Sequence, residues 1–148
     1  MGNRYIADVN AVTPTSGNDV MVLIPASGRR ARLVQVIVAG QGTTSAAQKL
    51  AIVRTSGGTT PGGSITPDKG DHLQQPSAAS AVHTTWSAQP TAVSSGVTLG
   101  WNALGGAIVY NVPKGMFEAV SNTDYISLRA PSGPTYQACD VTMVFEED

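Results

Sequence analysis

Ala138-Cys139-Asp140-Val141-Thr142-Met143-Val144-Phe145-Glu146 is the stretch that decides the class of fold. Cys139, Val141, Met143 and Phe145 fall on one side of an extended chain, while Ala138, Asp140, Thr142 and Glu146 point the other way. A period of two sets one face on a core and the other toward water, which is the pattern of a half-buried strand.

Segments of the same kind recur toward the N-terminus, each cut short by Gly, Pro, Ser or Thr. Strands are expected near 4–12, 19–25, 31–39, 49–55, 81–86, 97–101, 106–112, 116–120, 124–130 and 136–146. Val34, Val36 and Val38 alternate with Leu33, Gln35 and Ile37, so the strand at 31–39 reads as apolar on both faces. Leu50 and Ile52 oppose Ala51 and Val53 in the same way. Such strands need cover on both sides, from a second layer or from a neighbouring subunit. Thr15-Ser16-Gly17-Asn18, Ala26-Ser27-Gly28 and Pro113-Lys114-Gly115 supply the turns, with Pro presetting φ and Gly accepting positive φ. Helical periodicity is limited to a possible turn at Thr44–Gln48 or Gln74–Ala81.

Composition agrees with an all-β chain. Gly, Pro, Ser and Thr make up 53 of the 148 residues, and only 13% are charged, about half the usual share of ~25%. Hydrophobic residues at 41% are too many for a disordered chain. This length supports a single core, so residues 1–148 are read as one domain. The net charge of −1, with no basic stripe, argues against a nucleic-acid partner. No apolar run approaches a membrane span, and residues 1–19 lack the apolar centre of a signal peptide, so a soluble protein made in a cytoplasm is expected.

Ser56–Ser80 breaks the rhythm: SGGTTPGGSITPDKGDHLQQPSAAS holds three prolines, two Gly-Gly pairs and little apolar content. It is expected to be one long irregular loop, lacking an apolar set to anchor it in its own core and able to lie over a neighbouring subunit as readily as over its own domain. The fold class is therefore an all-β jelly-roll or Greek-key sandwich with one long loop, with an immunoglobulin-like sandwich or another barrel as alternatives.

Catalytic chemistry is sparsely represented. Cys139 is the single cysteine and reads as a buried small hydrophobe. His83 reads as a hydrogen-bonded structural histidine. His72, beside Asp68 and Asp71, lacks the ligand spacing of a calcium loop. Lys69-Gly70-Asp71 matches a cell-adhesion tripeptide only as chance would, and Gly40-Gln41-Gly42 lacks the third glycine of a dinucleotide site. Glu118 and Asp124 flank an expected hairpin turn, and Glu146, Glu147 and Asp148 read as a small acidic tail. Arg29, Arg30 and Arg32 read as a solvated turn or as a contact for an acidic neighbouring subunit. Trp86 and Trp101 read as core packing, as anchors at a protein interface, or as platforms for a sugar ring. Tyr5, Tyr110, Tyr125 and Tyr136 share that ambiguity. No catalytic, cofactor-binding or metal-ligating residue is assigned, and a non-enzymatic protein is expected.

The run Arg32–Val38, then Ala46–Thr55, the glycine-rich Gly57–Gly63, Thr84-Thr85-Trp86-Ser87-Ala88-Gln89-Pro90-Thr91 and a closing strand ending in Glu146 form a layout similar to small virion proteins of tailed bacteriophages. In particular it resembles the jelly-roll capsid decoration (cement) proteins. That resemblance implies a homotrimer on the outside of an icosahedral capsid, clamping major capsid protein subunits, with no catalytic residues, cofactor or membrane. Neck, tail or fibre proteins and receptor- or carbohydrate-binding jelly rolls are the alternatives. Far-UV circular dichroism is expected to show strand with helix below ~10%, against the ~30–35% of average domains; a helix-dominated spectrum would refute the fold reading.

Overall fold

The computed structural model describes residues 2–71, 75–94 and 96–148, and every regular element in them is a strand. In chain order these are β1 (Asn3–Val12), β2 (Asp19–Ile24), β3 (Ala31–Gly40), β4 (Ala47–Ser56), β5 (Thr59–Ile65), β6 (Asp68–Lys69) and β7 (Ala81–Ala88). They continue with β8 (Thr91–Ala92), β9 (Val97–Asn102), β10 (Ala107–Asn111), β11 (Glu118–Ala119), β12 (Asp124–Arg129) and β13 (Cys139–Glu147). One sheet has the order β10-β3-β13-β1-β6, with β11 also on β3. The other has the order β5-β7-β2-β12-β4-β8, with β9 also on β4. Without the short strands and the β5–β7 pair, the sheets reduce to β1-β13-β3-β10 and β2-β12-β4-β9, packed face to face as a β-sandwich. This is the strand order of a jelly roll.

The core lies between the sheets. Leu33, Val36, Val38, Val141, Met143 and Phe145 meet Met21, Leu23, Leu50, Ile52, Ile126 and Leu128, all fully buried. Tyr5 stacks on Phe145 with ring centroids 5.4 Å apart. Cys139 is buried here as the alternation of β13 requires, and burial, helped by the neighbouring Asp140 charge, pushes its thiol up to about 11. Gly40 faces Asn102 and Ala103 so closely that a Cβ would lie 2.6 Å from the Asn102 carbonyl oxygen. Gly40 and Gly42 therefore serve backbone packing rather than any phosphate loop.

Two expectations change. The face assignment of β3 is interrupted by a bulge: Phe145 pairs with Leu33 but Val144 pairs with Gln35, leaving Val34 as the extra residue. A bulge shifts the alternation by one position, so Leu33 and Val36 both enter the core, while Val34 and Ile37 stay half-buried on the outer face.

The second change concerns Ser56–Ser80. Residues 59–65 form β5, paired along β7 from Thr59↔Ala88 to Ile65↔Val82. Asp68 and Lys69 pair with Ile6 and Tyr5 of β1. Tyr5 Oη donates to the Pro76 carbonyl at 3.1 Å, and the Ala79 and Ser80 amides donate to the Glu147 carboxylate at 3.0 and 2.6 Å. Ile65 and Ala78 pack partly on the core. The segment is thus held by its own domain through backbone groups, which need no apolar side-chain set. Gly and Pro are tolerated in β5 because it is the edge strand of its sheet. His72 and Leu73 lie outside the described residues. No helix forms at Thr44–Gln48, whose last two residues already belong to β4.

Deleting Gly57–Gly63 is accordingly expected to destabilise the free protein. Losing the three pairs Thr59↔Ala88, Pro61↔Trp86 and Gly62↔Thr85, at about 1 kcal/mol net per hydrogen bond, gives a loss of about 3 kcal/mol. For this chain length that lowers the melting temperature by about 6–12 °C. An unchanged melting curve would show that β5 carries no stability.

Candidate interaction surface

The two sheets differ in what covers their outer faces. The second is closed by its own chain. The segment after β7, at one side of that sheet, crosses to β8 and β9 on the opposite side. It is fixed on the way by Asp19, whose side chain is fully inaccessible to solvent. Asp19 Oδ1 accepts from Arg129 Nε at 2.7 Å, and Oδ2 accepts from Trp86 Nε1 at 3.1 Å and Ser127 Oγ at 2.9 Å. The Asp19 amide donates to Gln89 Oε1 at 2.9 Å, and Arg129 Nη2 donates to the Pro90 carbonyl at 2.8 Å. Trp86 also packs on Tyr125 at 5.3 Å, and the Thr55 and Ser127 hydroxyls are 2.7 Å apart. Asp19 reaches this side because Val20 is a bulge residue: Leu128 pairs with Met21 while Arg129 pairs with Asp19. The crossing ends at Gly96, where a Cβ would lie 1.5 Å from the Ile52 carbonyl oxygen, so only glycine fits.

The first sheet is open. Its strands align side chains in rows, of which the lowest is Arg4–Glu146–Arg32–Glu118, alternating in charge. Glu146 accepts from Arg4 Nη2 at 2.7 Å and from Arg32 Nη2, and Arg30 lies 3.7 Å from Glu118. Arg30, Arg32, Glu118 and Glu146 line a cleft of about 250 Å³ with Lys114 and Asp148. The next rows are Ile6–Val144–Gln35–Asn111 and Asp8–Thr142–Ile37–Val109. Ile6, Val144, Ile37 and Val109 form an apolar diagonal, with Ile6 39% and Val109 54% exposed. The polar members pair with each other: Thr142 Oγ1 donates to Asp8 Oδ1 at 2.8 Å, and Gln35 Nε2 to Asn111 Oδ1 at 2.7 Å. The neutral polar groups of this face are thus paired with one another, while the exposed Asp8 carboxylate, held by one neutral hydroxyl, keeps its place at the edge of any dry contact.

The remaining residues singled out in the sequence are placed as follows. Arg30 and Arg32 are occupied by Glu118 and Glu146, so the arginine trio is in part an internal ion-pair group. Glu118 and Asp124 do not meet; Asp124 pairs with Arg54. The acidic tail is no tail: Glu146 and Glu147 are buried in β13, and the Asp148 amide donates to the Arg30 carbonyl at 3.0 Å. His83 sits in the ladder opposite Val22 and Ser64, but its buried Nδ1 has no hydrogen-bond partner among the described residues, contrary to expectation. Trp101 is core, Tyr110 is partly buried against it, and Tyr136 donates to the Pro131 carbonyl while burial raises its pKa. Among the described residues no group of three or more His, Cys, Asp or Glu is placed to hold a metal ion. The Asp19 node and the apolar diagonal were missed from sequence, because both depend on bulges and cross-strand register.

No protein-family model matches this sequence, and no curated protein matches it either.

The Glu146 bridge sets an acid-stability expectation. Burial acts to raise its pKa, but hydrogen bonds and charge from Arg4 and Arg32 outweigh it, so the carboxyl titrates below its ordinary value of 4.5. A depressed folded-state pKa contributes stability that is fully present above the unfolded value and is lost as pH falls through the folded one. Glu146→Gln is therefore expected to cost about 1–2 kcal/mol at pH 7, with the gap to wild type closing below about pH 4. Urea melts at pH 7 and pH 3 test this, and an equal gap at both would exclude the bridge as its source.

Proposed function

We propose that this chain is a non-enzymatic virion structural protein: a decoration or cement protein that binds the capsid exterior and stabilises major capsid protein subunits. The observation that carries the reading is the open outer face of the first sheet. There an apolar diagonal lies among neutral polar side chains that are paired with one another or with Asp8, whereas the second sheet is closed by its own chain. The sandwich strand order and the resemblance of the sequence layout to jelly-roll decoration proteins support it further.

Four strands spaced ~4.8 Å apart and up to about ten residues long offer roughly 500–600 Å². That is below the ~800 Å² per partner of a standard interface. One copy alone then attaches weakly, and linking copies raises occupancy through effective concentration. This favours a homo-oligomer, a trimer being the form the resemblance implies. Neck, tail or fibre placement would use the same face on a different partner.

Light scattering on the purified protein is expected to give about three times the 15.2 kDa chain mass. Capsids stripped of the protein should rebind wild type but not Ile6→Asp/Val109→Lys, with a loss of at least about thirtyfold in affinity, as for hot-spot residues. Both positions are exposed in the free protein, so its melting should change little. Unchanged capsid occupancy by the double variant would remove this face from the mechanism.

A further inference from the structure

A second surface feature shares no residue with the apolar diagonal. Between the β1–β2 turn and β7 lies an open cleft of about 240 Å³. Thr13, Thr15, Asn18 and Thr85 line it, and their side chains make no hydrogen bond to any described residue. Val12, Pro14 and Trp86 supply apolar wall.

We propose that this cleft binds a neutral saccharide. Its one ionic lining residue is Asp19, and both carboxylate oxygens are already engaged, by Arg129 on one and by Trp86 and Ser127 on the other. An anionic ligand finds no cation on the wall, and a cationic one finds a carboxylate that is already paired. What remains is a set of hydroxyl and amide groups beside an apolar surface. That combination suits a ring with hydroxyls at its edge and C–H groups on its faces.

The walls are also preorganised, which lowers the entropy cost of binding. Trp86 is fixed by its bond to Asp19 and by packing on Tyr125, and Gln89 is fixed by the Asp19 amide. The volume lies just below the ~300–1,000 Å³ of sites that enclose a drug-sized ligand. The cleft therefore takes one end of a glycan rather than a whole chain, and weak affinity is expected.

The test is amide NMR of the full chain titrated to ~20 mM, a range suited to weak binding. Neutral probes are glucose, galactose, N-acetylglucosamine, maltotriose, cellotriose and triacetylchitotriose, with sialyllactose as the anionic control. At least one neutral probe is expected to give saturable shifts centred on Thr13–Asp19 and Thr84–Gln89. A trisaccharide binding more tightly than its monomer identifies a chain end as the occupant, and equal affinities identify a single ring. Thr13→Val/Thr85→Val should weaken binding about tenfold, two neutral hydrogen bonds being lost. Should the double variant melt lower, Thr85→Val alone must show the same direction. No saturable shift from any neutral probe would overturn the proposal. So would shifts centred elsewhere, binding of sialyllactose alone, or undiminished binding by the variants.

Discussion

A carboxylate with no solvent access has to be matched by donors in the fold, and Asp19 is the point on which the second sheet depends. An unpaired charge at that depth would cost several kcal/mol. The donors to the carboxylate come from β12 through Ser127 and Arg129 and from β7 through Trp86, while the Asp19 amide donates to Gln89 of the crossing segment. Asp19 as a whole therefore places three separate stretches of chain at once. Arg129 extends the constraint to the Pro90 carbonyl, and Ser127 extends it to Thr55 of β4. One residue at the start of β2 thereby fixes where the crossing segment lies.

The consequence is an asymmetric sandwich. Val22, Val53, Thr55 and Ser127 lie on the β2–β12–β4 sheet but outside the main core cluster, and all are buried. On the β13–β3 sheet, Val34, Ile37 and Val144 are only half-buried and Val109 is exposed. A chain with 13% charged residues has few side chains with which to solvate both faces. It closes one with its own backbone and leaves the other open. The ion-pair row at the end of the open face gives that surface a polar rim, as protein interfaces commonly have.

Register irregularities do much of the placing. The bulge at Val34 puts Leu33 and Val36 in the core together, and the bulge at Val20 turns Asp19 out of it. A third, between Val9 and Val12, accompanies positive φ at Ala11, whose amide donates to Asp140 Oδ1 at 2.7 Å. Each involves ordinary residues and carries no turn-type signature. Bulges arise from the fit of one strand to its neighbours, so no single segment announces them.

The sequence by itself determined the all-β class, the approximate bounds of β1–β4, β7, β9, β10, β12 and β13, and the inward set Cys139, Val141, Met143 and Phe145. These follow from period-two alternation and turn residues, which act within a few positions of one another. Tertiary structure alone decided that Thr59–Ile65 is a strand, because its pairing uses backbone groups that every residue type supplies. It likewise decided that Glu146 and Glu147 are buried rather than a tail, since Arg4, Arg32 and the Ala79 and Ser80 amides come from distant parts of the chain. The same holds for the open face and the cleft. Both are made of side chains brought together by cross-strand register and by a crossing segment, relations that exist only once the sheets have formed.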